Sequence, residues 1–285
     1  MTSLLAGKQC HGALNPLHSL IYFAPEAEEE FTSAGLEKGR MGYFAGRAAA
    51  MGAVGAGVVA ATFYNFSPAL VAAHIPRAWD LAAPDTVLTA RLKAVDRVLR
   101  RLLGDSVADD PEVREAAELA ATATEACVAA GRPLYAAHAG LPAPGPAHLA
   151  LWHAVSLLRE YRGDGHLAAL ATAELDGLEA LITHTATGEG FTEEFARYSR
   201  GWSAEEWEAA RERLRTRGLL DSDGRLTALG HALRNDVEER TDVLARAPYD
   251  HLGQAAAERL TTIGTRLSRT ALGNGAFPPG VFAGK

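Results

Sequence analysis

The residues best suited to chemistry lie together in the stretch 159–166, which reads Arg-Glu-Tyr-Arg-Gly-Asp-Gly-His. Asp164 stands two positions before His166, and a histidine near a carboxylate can exchange protons close to neutral pH. Gly163 and Gly165 interrupt the helical spacing, so we expect a short joint between two helices. A structural interpretation fits the same residues equally well, with Asp164 as an N-cap, His166 as a first-turn polar residue and Arg162 as its surface partner.

Further polar residues are embedded in otherwise apolar helical faces, where they could line a cleft between two halves of the protein. The ligand-binding candidates are His18, Tyr22, Tyr43, Tyr64, Asn65, His153 and Arg162. Arg47 could hold a carboxylate or an enolate-like oxygen, and it joins His166 and Asp164 as the catalytic candidates. Such a set suits proton transfer by a cofactor-independent isomerase, cyclase or lyase acting on an apolar metabolite. A lone histidine is nevertheless more often a hydrogen-bonded structural residue than a catalyst.

Other chemistries find less support in the sequence. His148, His153 and His166 lack the spacing and the partners of a zinc site, so no metal is expected. The chain has no Gly-x-Ser-x-Gly elbow and no phosphate-binding loop. No cofactor is therefore expected, although a haem held by a single histidine in a helical pocket remains open.

The composition and net charge of the chain argue against several classes of protein. The chain has 285 residues and a net charge of −7, which gives no general attraction for nucleic acid or anionic lipid. Cys10 and Cys127 are far apart and form no redox or metal pattern. The N-terminus lacks a basic segment followed by a long apolar run, so no signal peptide is expected. The run from Ala45 to Phe63 contains Arg47 and several glycines, so no membrane span is expected. We expect a cytoplasmic protein, either a monomer or a homodimer.

The elements that must position these residues are mostly helices, since the chain is rich in alanine and leucine. Leu149, Trp152 and Ser156 recur at helical spacing before the joint. Pro133, Pro142, Pro144 and Pro146 indicate a linker. We therefore divide the chain into an N-terminal winged-helix-like half (1–131), a Pro-rich linker (132–147) and a C-terminal winged-helix half (148–285).

The second half shows the order helix, short helix, longer helix, tight polar turn and helix that is typical of a winged helix-turn-helix. Ser203 and Glu206 predict a capping box at the start of the longer helix. The segment "RGWSAEEWEAARERLRTRGLLDSDGRLTALGHAL" resembles the helix-and-wing segment of MarR-type proteins. Through "PLHSLIYFAPE" and "MGYFAGRAAAMG" as well, most of the chain resembles an actinobacterial family labelled helix-turn-helix or MarR-like and largely uncharacterised. That resemblance implies a fold more than an activity.

A weak internal repeat aligns Gly46 and Arg47 with Gly165 and His166, and Tyr64 with His184. A tandem duplication would give a mainly α protein, with two winged-helix (MarR-like) halves arranged as a pseudo-dimer with small β-wings. Chance matches between alanine-rich helices explain the same alignment.

Two functions are compatible with these residues. The longer helix balances Glu205, Glu206, Glu208 and Glu212 against four arginines, so DNA binding is doubtful. We therefore favour an apolar small molecule as the partner, bound between the halves by an enzyme of specialised metabolism. The alternative is a MarR-like, ligand-responsive transcriptional regulator that binds DNA.

Overall fold

The computed structural model describes residues 4–283, and its regular elements are helices. In chain order the α-helices are α1 (Leu4–Ser19), α2 (Pro25–Ser33), α3 (Arg40–Ala48), α4 (Ala56–Phe63), α5 (Pro68–Ala72), α6 (Arg77–Leu81), α7 (Pro84–Leu103), α8 (Pro111–Thr124), α9 (Pro133–Ala139), α10 (Ala147–Thr172), α11 (Gly177–Thr185), α12 (Glu193–Arg200), α13 (Ala204–Thr216), α14 (Ala228–Leu244), α15 (Ala247–Leu252) and α16 (Gln254–Gly273). Short 3₁₀ helices cover Leu20–Phe23, Ala49–Met51 and Asp105–Ala108. The prediction of a mainly helical protein is therefore confirmed.

Local sequence signals set many of the helix starts. Proline opens α2, α5, α7, α8 and α9, where its missing N–H costs no hydrogen bond. The predicted capping box of Ser203 and Glu206 is present at α13, and Asp176 with Glu179 forms a second one at α11. These caps place the helices of the second half in the predicted order.

Helix α10 is the structural axis of the molecule. Its 26 residues span roughly 39 Å at the usual rise, and it packs against α1, α7, α8, α9 and α14. The expected joint at 159–166 is wrong, because α10 continues through both glycines. Gly165 faces Arg132, and an added Cβ would lie 2.8 Å from its Nη1. Tight packing on that side therefore favours glycine inside a helix that tertiary contacts stabilise.

The hydrophobic core draws on both predicted halves. One cluster joins side chains of α2, α3 and α7 to Leu134, Leu149 and Trp152. A second joins α1 and α8 to α10 and α16, and a third lies among α10, α11, α13 and α14. The predicted linker 132–147 contains α9, whose Leu134 and Tyr135 are buried. The division into 1–131 and 148–285 remains a prediction.

The β structure of the described residues is limited to isolated bridges. An antiparallel bridge joins Leu220 to Leu226 across the polar turn after α13, and another joins Phe191 to Phe282. No single described helix is long and apolar enough to cross a membrane, whereas the bent pair Arg40–Met51 and Ala56–Phe63, at 96° to each other, passes on length and composition when taken together.

Candidate functional site

A central cavity of about 710 Å³ lies where α3 and α4 face α10, α11, α12 and α14. Its apolar wall is mainly aromatic and includes Phe23, Phe44, Phe63, Phe66, Phe191, Phe195 and Phe282. Its ionisable wall consists of Arg40, Arg47, Arg159, Arg162, Arg200, Arg234, Glu160, Asp164, Glu238, His166, His184, Tyr22, Tyr43 and Tyr64. Cavities of this size hold small molecules in other proteins.

A buried ion cluster forms one side of the cavity. Both carboxylate oxygens of Glu160 accept hydrogen bonds from Nη2 of Arg47, at 3.2 Å each, and Arg159 donates to Oε2 at 2.6 Å. Glu160 is only 1% exposed. Burial works to raise its pKa, but Arg159 and Arg47 outweigh burial and hold the pKa well below its usual range. Glu160 is therefore ionised, and it orients Arg47.

Arg47 also contacts Tyr43. Its Nη1 donates to the Tyr43 hydroxyl oxygen at 3.1 Å, and its guanidinium lies 4.4 Å from the centre of the Phe63 ring. Burial works to raise the pKa of Tyr43, yet Arg47, with help from Arg200, lowers it. Tyr43 therefore loses its proton more readily than an ordinary tyrosine does.

Tyr22 has the opposite environment, although its ring centre lies 5.1 Å from that of Tyr43. Burial raises the pKa of Tyr22, against the influence of Arg47. Its hydroxyl donates to His18 Nε2 at 2.8 Å. The pKa values of these two neighbouring tyrosines are thus shifted in opposite directions.

His18 supports Tyr22 from behind the cavity wall. The Ser156 hydroxyl donates to the Trp152 carbonyl at 2.8 Å, so its oxygen accepts from His18 Nδ1 at 2.9 Å. Burial holds the pKa of His18 well below its usual range, so the ring is neutral and Nε2 is an acceptor. His18 was predicted as a ligand contact, but the structure places it out of the cavity and behind Tyr22.

His166 lies on the opposite wall, and its Nδ1, like that of His18, donates to a hydroxyl oxygen. Thr241 donates its hydroxyl proton to the Val237 carbonyl at 2.7 Å, so His166 Nδ1 donates to Thr241 Oγ1 at 2.8 Å. Burial lowers the pKa of His166 to about 4. Its Nε2 is therefore a neutral acceptor near the cavity.

Asp164 and His166 do not form the acid-base pair that their spacing suggested. Oδ2 of Asp164 accepts from the backbone N–H of Tyr135 at 2.9 Å, in the first turn of α9. Asp164 therefore caps a neighbouring helix, not the one that was expected to start at Gly165. Burial raises its pKa.

The remaining predicted ligand contacts divide into two groups. Tyr64, Asn65 and Arg162 line the cavity, with the Tyr64 hydroxyl bonded to the Leu175 carbonyl at 2.6 Å and Arg162 paired with Asp242 at 2.8 Å. His153 is half-buried outside the cavity lining.

Several cavity residues were missed as candidates, above all Glu160, Arg200, Arg234 and Glu238. A sequence signal existed for Glu160, because it follows Trp152 and Ser156 on the same helical stripe. Because a helix break was expected at 159–166, Glu160 was not assigned to this stripe. Arg234 is 4% exposed and donates from Nη2 to Glu238 Oε1 at 2.8 Å, whereas its Nε and Nη1 have no hydrogen-bond partner within residues 4–283.

The surface of α13 and its following turn differs in charge from the cavity. Arg211 lies 2.5 Å from Glu193, Arg213 lies 2.9 Å from Glu179, and Arg215 lies 2.7 Å from Glu208. Arg217 and Arg225 are also paired with carboxylates. The positive charges of this surface are thus matched by neighbouring acids.

Within the part of the chain that the structure describes, no three histidine, cysteine or acidic side chains come together as a metal site. The fold and site thus define a helical protein with a polar, aromatic internal cavity.

The family of the chain follows from its sequence match. A family model described as a helix-turn-helix family matches residues 7–278. The protein therefore belongs to this helix-turn-helix family. No curated protein and no solved structure matches the chain.

Proposed function

We propose that this protein binds a small molecule with an apolar body and an anionic oxygen group in the central cavity, and acts on it by proton transfer. The observation that carries the proposal is the charge of the cavity wall. Six arginines line it against three carboxylates, although the whole chain has a net charge of −7. Aromatic rings cover the rest of the wall, so an anion with an apolar or aromatic body fits both surfaces.

The proposed reaction is an acid-base step without a cofactor, as in an isomerase, cyclase or lyase of specialised metabolism. Tyr43 removes a proton from carbon, and Arg47 stabilises the oxyanion that develops on the substrate. Tyr22, with His18 behind it, donates its own hydroxyl proton at a second position, and the proton held by Tyr43 then passes to the neighbouring Tyr22 to complete the cycle. His166 Nε2 accepts a hydrogen bond from the substrate on the opposite wall.

Deuterium exchange tests the proton transfer while the substrate is still unidentified. The protein is incubated in D₂O with a metabolite extract of its own source cell, and masses are followed by chromatography and mass spectrometry. We expect a molecule that gains deuterium with the wild type. With Tyr43→Phe its rate of deuterium exchange should fall by a factor of roughly 100 or more. Tyr198→Phe removes the hydroxyl of an exposed tyrosine on α12 and should leave the rate unchanged. Equal exchange in all three proteins would contradict the assignment of Tyr43.

A ligand-responsive regulator is the second candidate, and family membership favours it. In that case α13 contacts DNA, and the tandem, MarR-like winged-helix arrangement transmits ligand binding to it. Fluorescence anisotropy with random duplex DNA at low salt separates the two functions. A regulator shows binding that weakens steeply with salt and is relieved by a cavity ligand, whereas the enzyme shows neither.

A further inference from the structure

A second cavity, of about 360 Å³, lies between the 3₁₀ helix Leu20–Phe23 and helices α2, α3 and α7. It shares Tyr22, Phe23, Gly39 and Tyr43 with the central cavity. The two cavities therefore meet at the same pair of tyrosines. Arg91, from the middle of α7, lines this second cavity and does not line the first.

Arg91 is a buried cation with an electrically neutral hydrogen-bond partner. It is 3% exposed, and its Nη1 donates to His138 Nε2 at 2.8 Å. The other ring nitrogen of His138 donates to the Leu134 carbonyl at 2.9 Å, so His138 is the neutral acceptor of this contact. The guanidinium carbon lies 4.8 Å from the centre of the Trp152 ring.

The carboxylate that acts on Arg91 through space, Glu160, is already hydrogen-bonded to Arg47 and Arg159. Three guanidinium groups thus share one buried carboxylate. Tyr22 lies beside Arg91, yet Nη2 of Arg91 makes no hydrogen bond of normal geometry within residues 4–283. A buried charge without a counterion of its own is costly, so an anion at this position would be favoured.

Other arginines of the same helix show that the chain supplies counterions where it needs them. Arg97 pairs with Glu29 and Glu30, and Arg101 pairs with Glu26, all from α2. Arg91 is buried and is bonded to no carboxylate. Glu28 and Glu37 also line the second cavity, but both are exposed, and Glu37 is paired with Arg77. The absence of a bonded carboxylate therefore distinguishes Arg91 from Arg97 and Arg101.

We propose that the second cavity binds a small organic carboxylate, with its carboxylate group on Arg91 and its body between Phe23 and Phe31. The site is separate from the proposed binding site in the central cavity and does not depend on it. Because Tyr22 and Tyr43 form the shared wall, a carboxylate on Arg91 lies next to the tyrosine pair. Occupancy of the second cavity therefore changes the charge that these tyrosines experience.

The test uses 4-bromobenzoate as the probe, with crystals of the wild-type protein. We expect an anomalous bromine peak in the second cavity, with the carboxylate within hydrogen-bond distance of Arg91 Nη2. A peak confined to the central cavity or to the surface would overturn the proposal, as would no peak at all. The wild-type crystal needs no substitution, so this result does not depend on a variant that folds.

Calorimetric titration of the same probe in solution provides the matched comparison. Arg91→Gln should bind 4-bromobenzoate roughly tenfold or more weakly, whereas Arg97→Gln, an exposed arginine on the same helix, should match the wild type within about twofold. Equal affinities in all three proteins would contradict the site, and so would binding seen at crystal concentration only. Loss of proton transfer with this site intact would count against the central cavity alone, so the two proposals fail separately.

Discussion

The cavity wall and the surface of α13 contain similar numbers of arginines but differ in how completely carboxylates balance them. On α13 and its turn, five arginines face six carboxylates and are paired with them or with acids of neighbouring helices. In the central cavity, six arginines face three carboxylates. Arg47, Arg159, Arg162 and Arg234 are ion-paired, whereas Arg40 and Arg200 hydrogen-bond only to uncharged groups within residues 4–283. Anion recognition requires unmatched positive charge. The interior of this helix-turn-helix protein therefore suits an anionic ligand better than its outer helix suits DNA.

Removing the buried carboxylate of Glu160 should have the largest effect on stability. Glu160→Gln leaves Arg47 and Arg159 without their counterion, and we expect a loss of about 3–5 kcal/mol in the free energy of unfolding. Glu208→Gln removes an exposed partner of Arg215 and should cost no more than about 1 kcal/mol. Chemical denaturation measures both. Similar losses in the two variants would show that the interior cluster is no more strongly coupled than the surface one.

Lowering the pH should reduce the stability of the folded protein through the buried His138. Burial, together with the charge of Arg91, lowers the pKa of His138 to about 4. Folding thus depresses this pKa, so the unfolded chain binds the proton first as the pH falls below about 6.5. Stability that is present above pH 6.5 is lost progressively down to about pH 4, and His138 alone accounts for about 3 kcal/mol. Denaturation curves at several pH values should show this slope, and His138→Gln should make it shallower, while His18 and His166 continue to contribute. An unchanged slope in that variant would contradict the assignment.

Two glycines of α10 differ in how closely other atoms pack against them. A Cβ at Gly165 would lie 2.8 Å from Arg132 Nη1 and 3.2 Å from the Leu244 Cβ, so Gly165→Ala should destabilise by about 1–3 kcal/mol. At Gly163 the nearest atom is 3.6 Å away. Gly163→Ala should therefore stabilise by up to about 1 kcal/mol through helix propensity. The pair is compared by thermal unfolding, and stabilisation by both substitutions would mean that Gly165 is not tightly packed.

The smallest effect is expected on the outer helix. Arg215→Gln removes a charge that Glu208 and Glu212 already balance, so stability should change by less than about 1 kcal/mol. Binding to random duplex DNA, followed by anisotropy, should change less than about twofold. A large loss of DNA affinity would restore α13 as a recognition helix.

Much of this fold follows from local sequence signals. Proline at the first helical position and the capping residues Asp110, Asp176, Thr192, Ser203 and Thr227 predict helix starts, because they act within one turn. Gly163 and Gly165 gave a wrong prediction of a helix break, because that prediction also used only local signals. Their local preference is to break a helix, whereas the packing of α10 against Arg132 and Leu244 comes from residues distant in the chain.

The candidate site was predictable only in part. Tyr22, Tyr43 and Arg47 stand out as polar residues in apolar helical faces, and all three line the cavity. Their partners could not be assigned from spacing, since Arg47 and Glu160 are separated by 113 positions in the chain. Asp164 and His166 are close together in the sequence, but their partners Tyr135 and Thr241 lie on other helices.

The central claim is that unmatched positive charge inside the protein binds an anion with an apolar body. Fluorescence titration with 1-anilinonaphthalene-8-sulfonate, an aromatic sulfonate, measures this directly. We predict one saturable site in the wild type, with affinity reduced roughly tenfold in Arg234→Gln and unchanged in Arg215→Gln. Affinity that is equal in Arg234→Gln and the wild type, or that falls in Arg215→Gln instead, would contradict an anion site in the central cavity.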